Sequence, residues 1–131
     1  MMTFKNLTDS YTFSVLLADD NLETRNIFEI VLDHYALPLY TVGTAAAMLD
    51  YLKDHSPDVI VIDLVLPDQD GYQLFRQVRQ RVSSKIIATT AYHTFDTEQK
   101  VLTWGFDGFL PKPLSTTTLV AYLTKIANGR Q

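Results

Sequence analysis

The chain has 131 residues, of which 47% are hydrophobic and 20% charged. That balance suits one domain with an apolar core and excludes a disordered chain. It contains no cysteine, so disulfides, thiolate metal sites and cysteine nucleophiles are excluded. A net charge of −4 and a pI of about 5.2 argue against a nucleic-acid-binding surface. The mostly polar residues 1–13 lack the apolar centre of a signal peptide, and no run reaches membrane-spanning length; a soluble cytoplasmic protein is expected.

Residues 1–12 read as an N-terminal extension, 13–127 as one domain and 128–131 as a tail. Phe4, Tyr11 and Phe13 are the residues with which the extension would pack on the domain. The first strand is expected over Phe13–Ala18 and is ended by Asp19-Asp20-Asn21. A helix follows over about Leu22–Tyr35, with Ile27, Ile30, Val31 and His34 at helical spacing and Asp20 or Asn21 as its cap. Leu39–Val42 is a short strand, and Thr44 caps a second helix to about His55 with Ala45, Met48, Leu49 and Leu52 inward. Ser56-Pro57 breaks that helix. Val59-Ile60-Val61-Ile62 is a continuous β-branched run, the signature of a strand buried on both faces. After the loop 63–71, Asp70 caps a third helix to about Val82 whose core face is Leu74, Phe75 and Val78. Lys85–Thr90 is a fourth strand, Phe95–Trp104 a weaker helix ended by Gly105, and Phe109-Leu110 the centre of a fifth strand. Ser115 is expected to cap a last helix to about Ala127, with Leu119, Leu123 and Ile126 on one face.

Five strands and five helices in strict alternation predict an α/β fold: a doubly wound parallel sheet with helices on both faces. Pro111 cannot donate to a central ladder, so the fifth strand belongs at an edge, as in the flavodoxin-like order 2-1-3-4-5. Such sheets bind ligands beyond the carboxyl ends of their strands. Those ends carry Asp19 and Asp20, then Asp63, then Thr89-Thr90, then Lys112. Taken singly, each segment is an ordinary turn, cap or strand end; their arrival at one rim is what points to chemistry. Three crowded carboxylates repel, and either a raised pKa or a bound divalent cation relieves them. Oxygen ligands alone favour a hard ion such as Mg²⁺. With Lys112 the charges then sum to zero, and an aspartate so placed can accept a phosphoryl group. Asp63, alone at the end of the most buried strand, is the candidate nucleophile, with Thr90 and Lys112 placed to bind phosphoryl oxygens.

The segments Val15–Asn21, Asp63–Gly71, Ile87–Ala91 and Gly105–Pro113 resemble the receiver domain of two-component response regulators, chemotaxis regulators among them. The resemblance runs from about Phe13 to Ala127. It implies that Asp63 is the phosphoacceptor, Asp20 a direct Mg²⁺ ligand, and Asp19 a ligand through water. It also implies that the Val65 carbonyl completes the metal site, Thr90 is the switch hydroxyl, Lys112 binds the phosphoryl group, and Phe109 is the switch aromatic. The implied donor is a sensor histidine kinase or histidine phosphotransfer protein. The implied response is a change in the surface of the fourth helix, fifth strand and fifth helix, through which a homodimer is one expected outcome. Slow self-hydrolysis, rather than enzymatic turnover, would end the signal.

Three residues depart from the family pattern. Phe109 keeps a switch ring but lacks the hydroxyl of the usual tyrosine. Val65 and Tyr92 each lie two residues after a key position, Asp63 and Thr90, and are apolar or bulky where they flank the path of the hydrolytic water; both are expected to slow loss of the phosphoryl group. The alternatives are a small aspartyl phosphatase, a nucleotide or flavin binder, and a docking module without phosphotransfer. The first needs an acid where Val65 stands, and the second a phosphate-cradling loop where Asp19-Asp20 stand. A stand-alone regulator and one domain of a longer protein both fit the sequence. His34, His55 and His93 are scattered and are assigned no catalytic or metal role.

Overall fold

Short apolar runs become the strands and amphipathic runs the helices, in strict alternation. The structure, a computed structural model, describes residues 12–129. The strands are β1 (Val15–Ala18), β2 (Leu39–Val42), β3 (Val59–Asp63), β4 (Lys85–Thr90) and β5 (Gly108–Pro111). The helices are α1 (Leu22–His34), α2 (Ala45–Tyr51), α3 (Gly71–Arg79), α4 (Thr97–Trp104) and α5 (Leu119–Ala127). All strand pairs are parallel in the order β2-β1-β3-β4-β5, the flavodoxin-like topology. Pro111 pairs with Thr90 on the edge strand, where its missing N–H deprives no neighbour. No helix among the described residues is long and apolar enough to cross a membrane.

The sheet separates two apolar layers. On one face, Leu16, Ile60, Ile62, Ile86 and Ala88 pack against Met48 of α2, Leu74 and Val78 of α3, and Val101 of α4. On the other, Val15, Leu17, Val59, Val61 and Ile87 pack against Phe28 and Leu32 of α1 and Leu119, Leu123 and Ile126 of α5. Alternate residues of one strand therefore serve opposite layers, which is why β1 and β3 read as unbroken apolar runs. Phe13 is buried in the second layer just ahead of β1; Phe4 and Tyr11 lie outside the described residues.

Three local expectations need correction. Helix α1 buries Thr24, Phe28 and Leu32, whereas Ile30 is 72% exposed and His34 also faces solvent. Ile27 and Val31 are partly buried against the same layer, so the buried face is centred on Phe28 and Leu32 and only the Ile30 and His34 side turns to solvent. Ser115 does not cap α5 with its side chain; a turn intervenes, and the Leu119 N–H reaches the Ser115 carbonyl at 3.1 Å. Helix α2 stops at Tyr51, short of His55, and the chain continues in turns before the Ser56-Pro57 break. Side chains do cap α1, α2 and α3: Asn21 Oδ1 accepts the Thr24 N–H at 2.8 Å, Thr44 Oγ1 that of Ala47 at 3.0 Å, and Asp70 Oδ1 those of Tyr72 and Gln73 at 2.8 and 3.0 Å.

Candidate functional site

The carboxyl ends of β1, β3, β4 and β5 meet at the rim where the winding of the sheet reverses between β1 and β3. There Asp19, Asp20 and Asp63 bring one carboxylate oxygen each to within 4.8 Å of one another. Asp19 is fully buried, Asp63 is 6% exposed, and Asp20 faces solvent. Lys112 enters from the end of β5. Its Nζ lies 2.7 Å from Asp19 Oδ2 and 3.3 Å from Asp63 Oδ2. The second oxygens are held by the backbone: Asn21 N–H donates to Asp19 Oδ1 and Val65 N–H to Asp63 Oδ1, each at 2.9 Å. Asp63 is thus fixed in rotamer by its own loop while its other oxygen faces the cation.

The electrostatics follow from that crowding. Burial, opposed by the Val65 N–H and reinforced by the Asp19 charge, pushes the Asp63 carboxyl up to about 6. Burial alone would depress the Lys112 ammonium, but Asp19 and Asp63 hold it above the ordinary lysine range. One cation serves two buried carboxylates, with Asp20 alongside, so the set is one positive charge against three negative ones. Asp19 Oδ2 is buried and has Lys112 Nζ at 2.7 Å as its partner. Three carboxylates that share a single ammonium and offer only oxygen donors fit a hard, oxygen-seeking cation.

Gly71, the first residue of α3, sets how closely this helix approaches the Asp63 loop. Its N–H donates to the Leu64 carbonyl at 2.9 Å. A Cβ here would lie 2.6 Å from Leu64 Cα and 2.7 Å from the Asp63 carbonyl oxygen, so any side chain must displace backbone. Gly71→Ala is therefore expected to cost about 1–3 kcal/mol and to slow chemistry at Asp63, read by thermal melting and by the rate of phosphoryl labelling. An unchanged rate in a folded variant would show that the loop tolerates the shift.

The two threonines at the end of β4 separate by bonding. Thr89 Oγ1 donates to the Leu110 carbonyl at 2.6 Å and is spent on the β4–β5 ladder. Thr90, 2% exposed, accepts the Tyr92 N–H at 3.0 Å, which leaves its own proton to donate. Phe109 packs its ring in the first apolar layer, 9% exposed. Its N–H donates to Tyr122 Oη at 2.8 Å, tying β5 to α5. Val65 and Tyr92 are 52% and 79% exposed, at the surface of the loops that follow Asp63 and Thr90.

Residues 15–124 match the response regulator receiver domain. The chain belongs to that family. A curated relative, the DNA-binding transcriptional regulator NtrC of Azospirillum brasilense, is 28% identical over 117 residues, covering 88% of this chain and 24% of the relative. The chain thus spans about a quarter of that relative's length. The same fold is seen in the Francisella response regulator 1452 receiver domain, with a TM-score of 0.82 at 24% identity, covering 90% of this chain and 98% of that one. It is seen also in the chemotaxis response regulator CheY4 of Vibrio cholerae, with a TM-score of 0.78 at 22% identity, covering 88% and 98%.

Within this receiver domain, Asp19, Asp20, Asp63 and Lys112 stand together at the rim, with Thr90 at the end of the adjacent strand. Two further residues carry the site without any motif that announces them. Asp68 reaches out of the β3–α3 loop to accept the Ala45 and Ala46 N–H groups, both at 2.9 Å, so this loop caps α2. Those two donors hold the Asp68 carboxyl below its ordinary pKa. His93 Nε2 lies 2.9 Å from the Lys112 carbonyl and its ring meets Phe109 edge-on, with centroids 6.2 Å apart, so it bridges the β4–α4 and β5–α5 loops. Asp68 and His93 act across the fold on partners distant in sequence, which no local pattern signals.

Proposed function

We propose that this receiver domain accepts a phosphoryl group on Asp63 from a phosphohistidine of a sensor kinase or histidine phosphotransfer protein, in the cytoplasm. The observation that supports it best is the Asp63 carboxylate at the end of β3, flanked by Asp19 and Asp20 and faced by Lys112 at 3.3 Å. Asp20, Asp63 and the Val65 carbonyl would hold Mg²⁺ directly, with Asp19 acting through water. When bound, the ion supplies charge neutralisation and orientation of the phosphoryl oxygens.

A carboxylate oxygen of Asp63 forms the new O–P bond as the P–N bond to the donor imidazole breaks, and the electron pair leaves with the imidazole nitrogen. Lys112 exchanges its contact with Asp63 for a phosphoryl oxygen, and the Thr90 hydroxyl donates its free proton to another. Thr90 thereby moves inward, and Phe109 shifts with it. Because Phe109 N–H is bonded to Tyr122 on α5, that shift is delivered to the α4–β5–α5 surface, the proposed face for an effector or a second copy. Lacking a hydroxyl, Phe109 signals by shape alone.

The test is incubation with acetyl phosphate. An acid-labile acyl phosphate should form in Mg²⁺ and be lost on chelation. No label under any condition would leave the domain a docking module without phosphotransfer.

Val65 and Tyr92 are proposed to shield the acyl phosphate from water. Val65→Asn, which introduces a polar side chain able to orient a water, is expected to shorten the phosphorylated lifetime several-fold, about 1 kcal/mol in barrier. Dephosphorylation no faster than in the parent would remove Val65 from this role.

A further inference from the structure

Helices α3 and α4 leave between them a groove of about 500 Å³, lined by Tyr72, Gln73, Arg76, Lys100 and Trp104, with Asp70 of the β3–α3 loop at one end. We infer that this groove docks an acidic peptide segment of a partner protein, its carboxylates on Arg76 and Lys100 and an apolar side chain against Trp104.

The groove is built of rings and cations in alternation. The guanidinium of Arg76 lies 4.8 Å from the centroid of the Trp104 ring, and Lys100 Nζ lies 5.1 Å from that of Tyr72. Tyr72 and Trp104 meet edge to face with centroids 5.0 Å apart, so the two helices are joined by an aromatic ledge. Among the described residues, neither Arg76 nor Lys100 has a carboxylate partner or a hydrogen-bond acceptor. The other cations of this region differ: Arg79 on the same helix is paired with Asp107 at 3.1 Å. An arginine held by its face over a ring keeps its in-plane N–H groups pointing outward, an arrangement that suits bidentate capture of a carboxylate. In a chain of net charge −4 these two cations stand unpaired, although Asp70 and Asp96 both act on Tyr72 nearby.

The apolar part of the ledge is real surface. Trp104 is 38% exposed, and Tyr72 is only partly buried. Covering an exposed indole beside an arginine is the arrangement that concentrates binding energy in protein interfaces. Asp70 does not oppose this at the cationic end. Its carboxylate is held by the Tyr72 and Gln73 N–H groups at the start of α3, about one helical turn or more from Arg76. It would repel an acid placed there and so sets the direction in which the segment lies. The lining includes none of Asp19, Asp20, Asp63, Thr90 or Lys112, and the inference does not depend on phosphoryl transfer.

Trp104 is the single tryptophan of the chain, so its emission reports on the groove alone. The probe is a short synthetic peptide in which glutamates flank leucine and phenylalanine; its control has glutamine for every glutamate. Saturable change in Trp104 fluorescence is expected with the acidic peptide, weakened about tenfold or more by the double variant Arg76→Glu/Lys100→Glu and weakened also by added salt. Anisotropy of a labelled peptide gives a second readout that does not rely on the indole, and circular dichroism confirms that the variant is folded. Lys125→Glu, an exposed charge on α5, should leave affinity unchanged. Absence of saturable binding, equal binding of the glutamine control, or an equal loss in the Lys125 variant would overturn the inference.

Discussion

Asp63→Asn is expected to abolish the acyl phosphate formed with acetyl phosphate or a phosphohistidine donor, while leaving the fold intact. The amide keeps the shape and an oxygen for the Val65 N–H, but it has no anionic oxygen to attack phosphorus. The same change makes a thermodynamic prediction. The Asp63 carboxyl is pushed up to about 6 by burial, above the unfolded value of 3.8. The folded state therefore binds the proton more tightly than the unfolded state does. That contribution to stability is complete below the unfolded pKa and is lost as pH rises through the folded one. The asparagine has no such loss. In metal-free buffer the variant should gain stability on the parent as pH rises from about 4 to 6, reaching on the order of 1–2 kcal/mol above pH 7. Melting curves against pH decide it. Label retained in Asp63→Asn would move the acceptor elsewhere, and a pH-independent stability difference would contradict the electrostatic account of the site.

Lys112→Met should be the most destabilising single change at the rim. The ammonium is the cation shared by Asp19 and Asp63, and its side chain is only 12% exposed. Its removal leaves buried carboxylates facing one another. Breaking a buried pair on one side costs about 3 kcal/mol or more, because the surviving charge is left without a partner. At low pH the cost should shrink, since Asp63 takes a proton and the repulsion disappears. A divalent cation should restore part of the loss, so the rise in melting temperature on adding Mg²⁺ is expected to be larger in the variant than in the parent. Equal Mg²⁺ responses in the two proteins would mean that Lys112 and the ion do not share the same carboxylates.

Much of this site is legible in the sequence because each chemical residue sits at the end of an element that declares itself locally. Val59–Ile62 announces a doubly buried strand, and Asp63 is the residue that follows it. Pro111 places β5 at an edge, and Lys112 follows Pro111. Helix phase is less legible. On α1, Ile27 and Val31 do pack at the margin of the core, but periodicity does not show that Phe28 and Leu32 are its centre or that Ile30 and His34 face solvent. Side-chain roles that span the fold are not legible at all. Asp68 looks like an ordinary loop acid, yet it caps α2 from the β3–α3 loop. His93 looks incidental, yet it touches the Lys112 carbonyl.

What the sequence determined by itself is the alternation of strands and helices, the parallel sheet that this alternation requires, and the set of residues delivered to its carboxyl rim. These follow from periodicity, chain continuity and the handedness of crossovers, all of which act over short stretches. The tertiary structure alone decided that Lys112 lies closer to Asp19 than to Asp63, that Thr89 is bonded while Thr90 keeps a free proton, and that Arg76 and Lys100 share a groove with Tyr72 and Trp104. Those are distances of a few ångströms between segments far apart in the chain, and they are set by how the layers pack, a property no stretch of sequence carries alone.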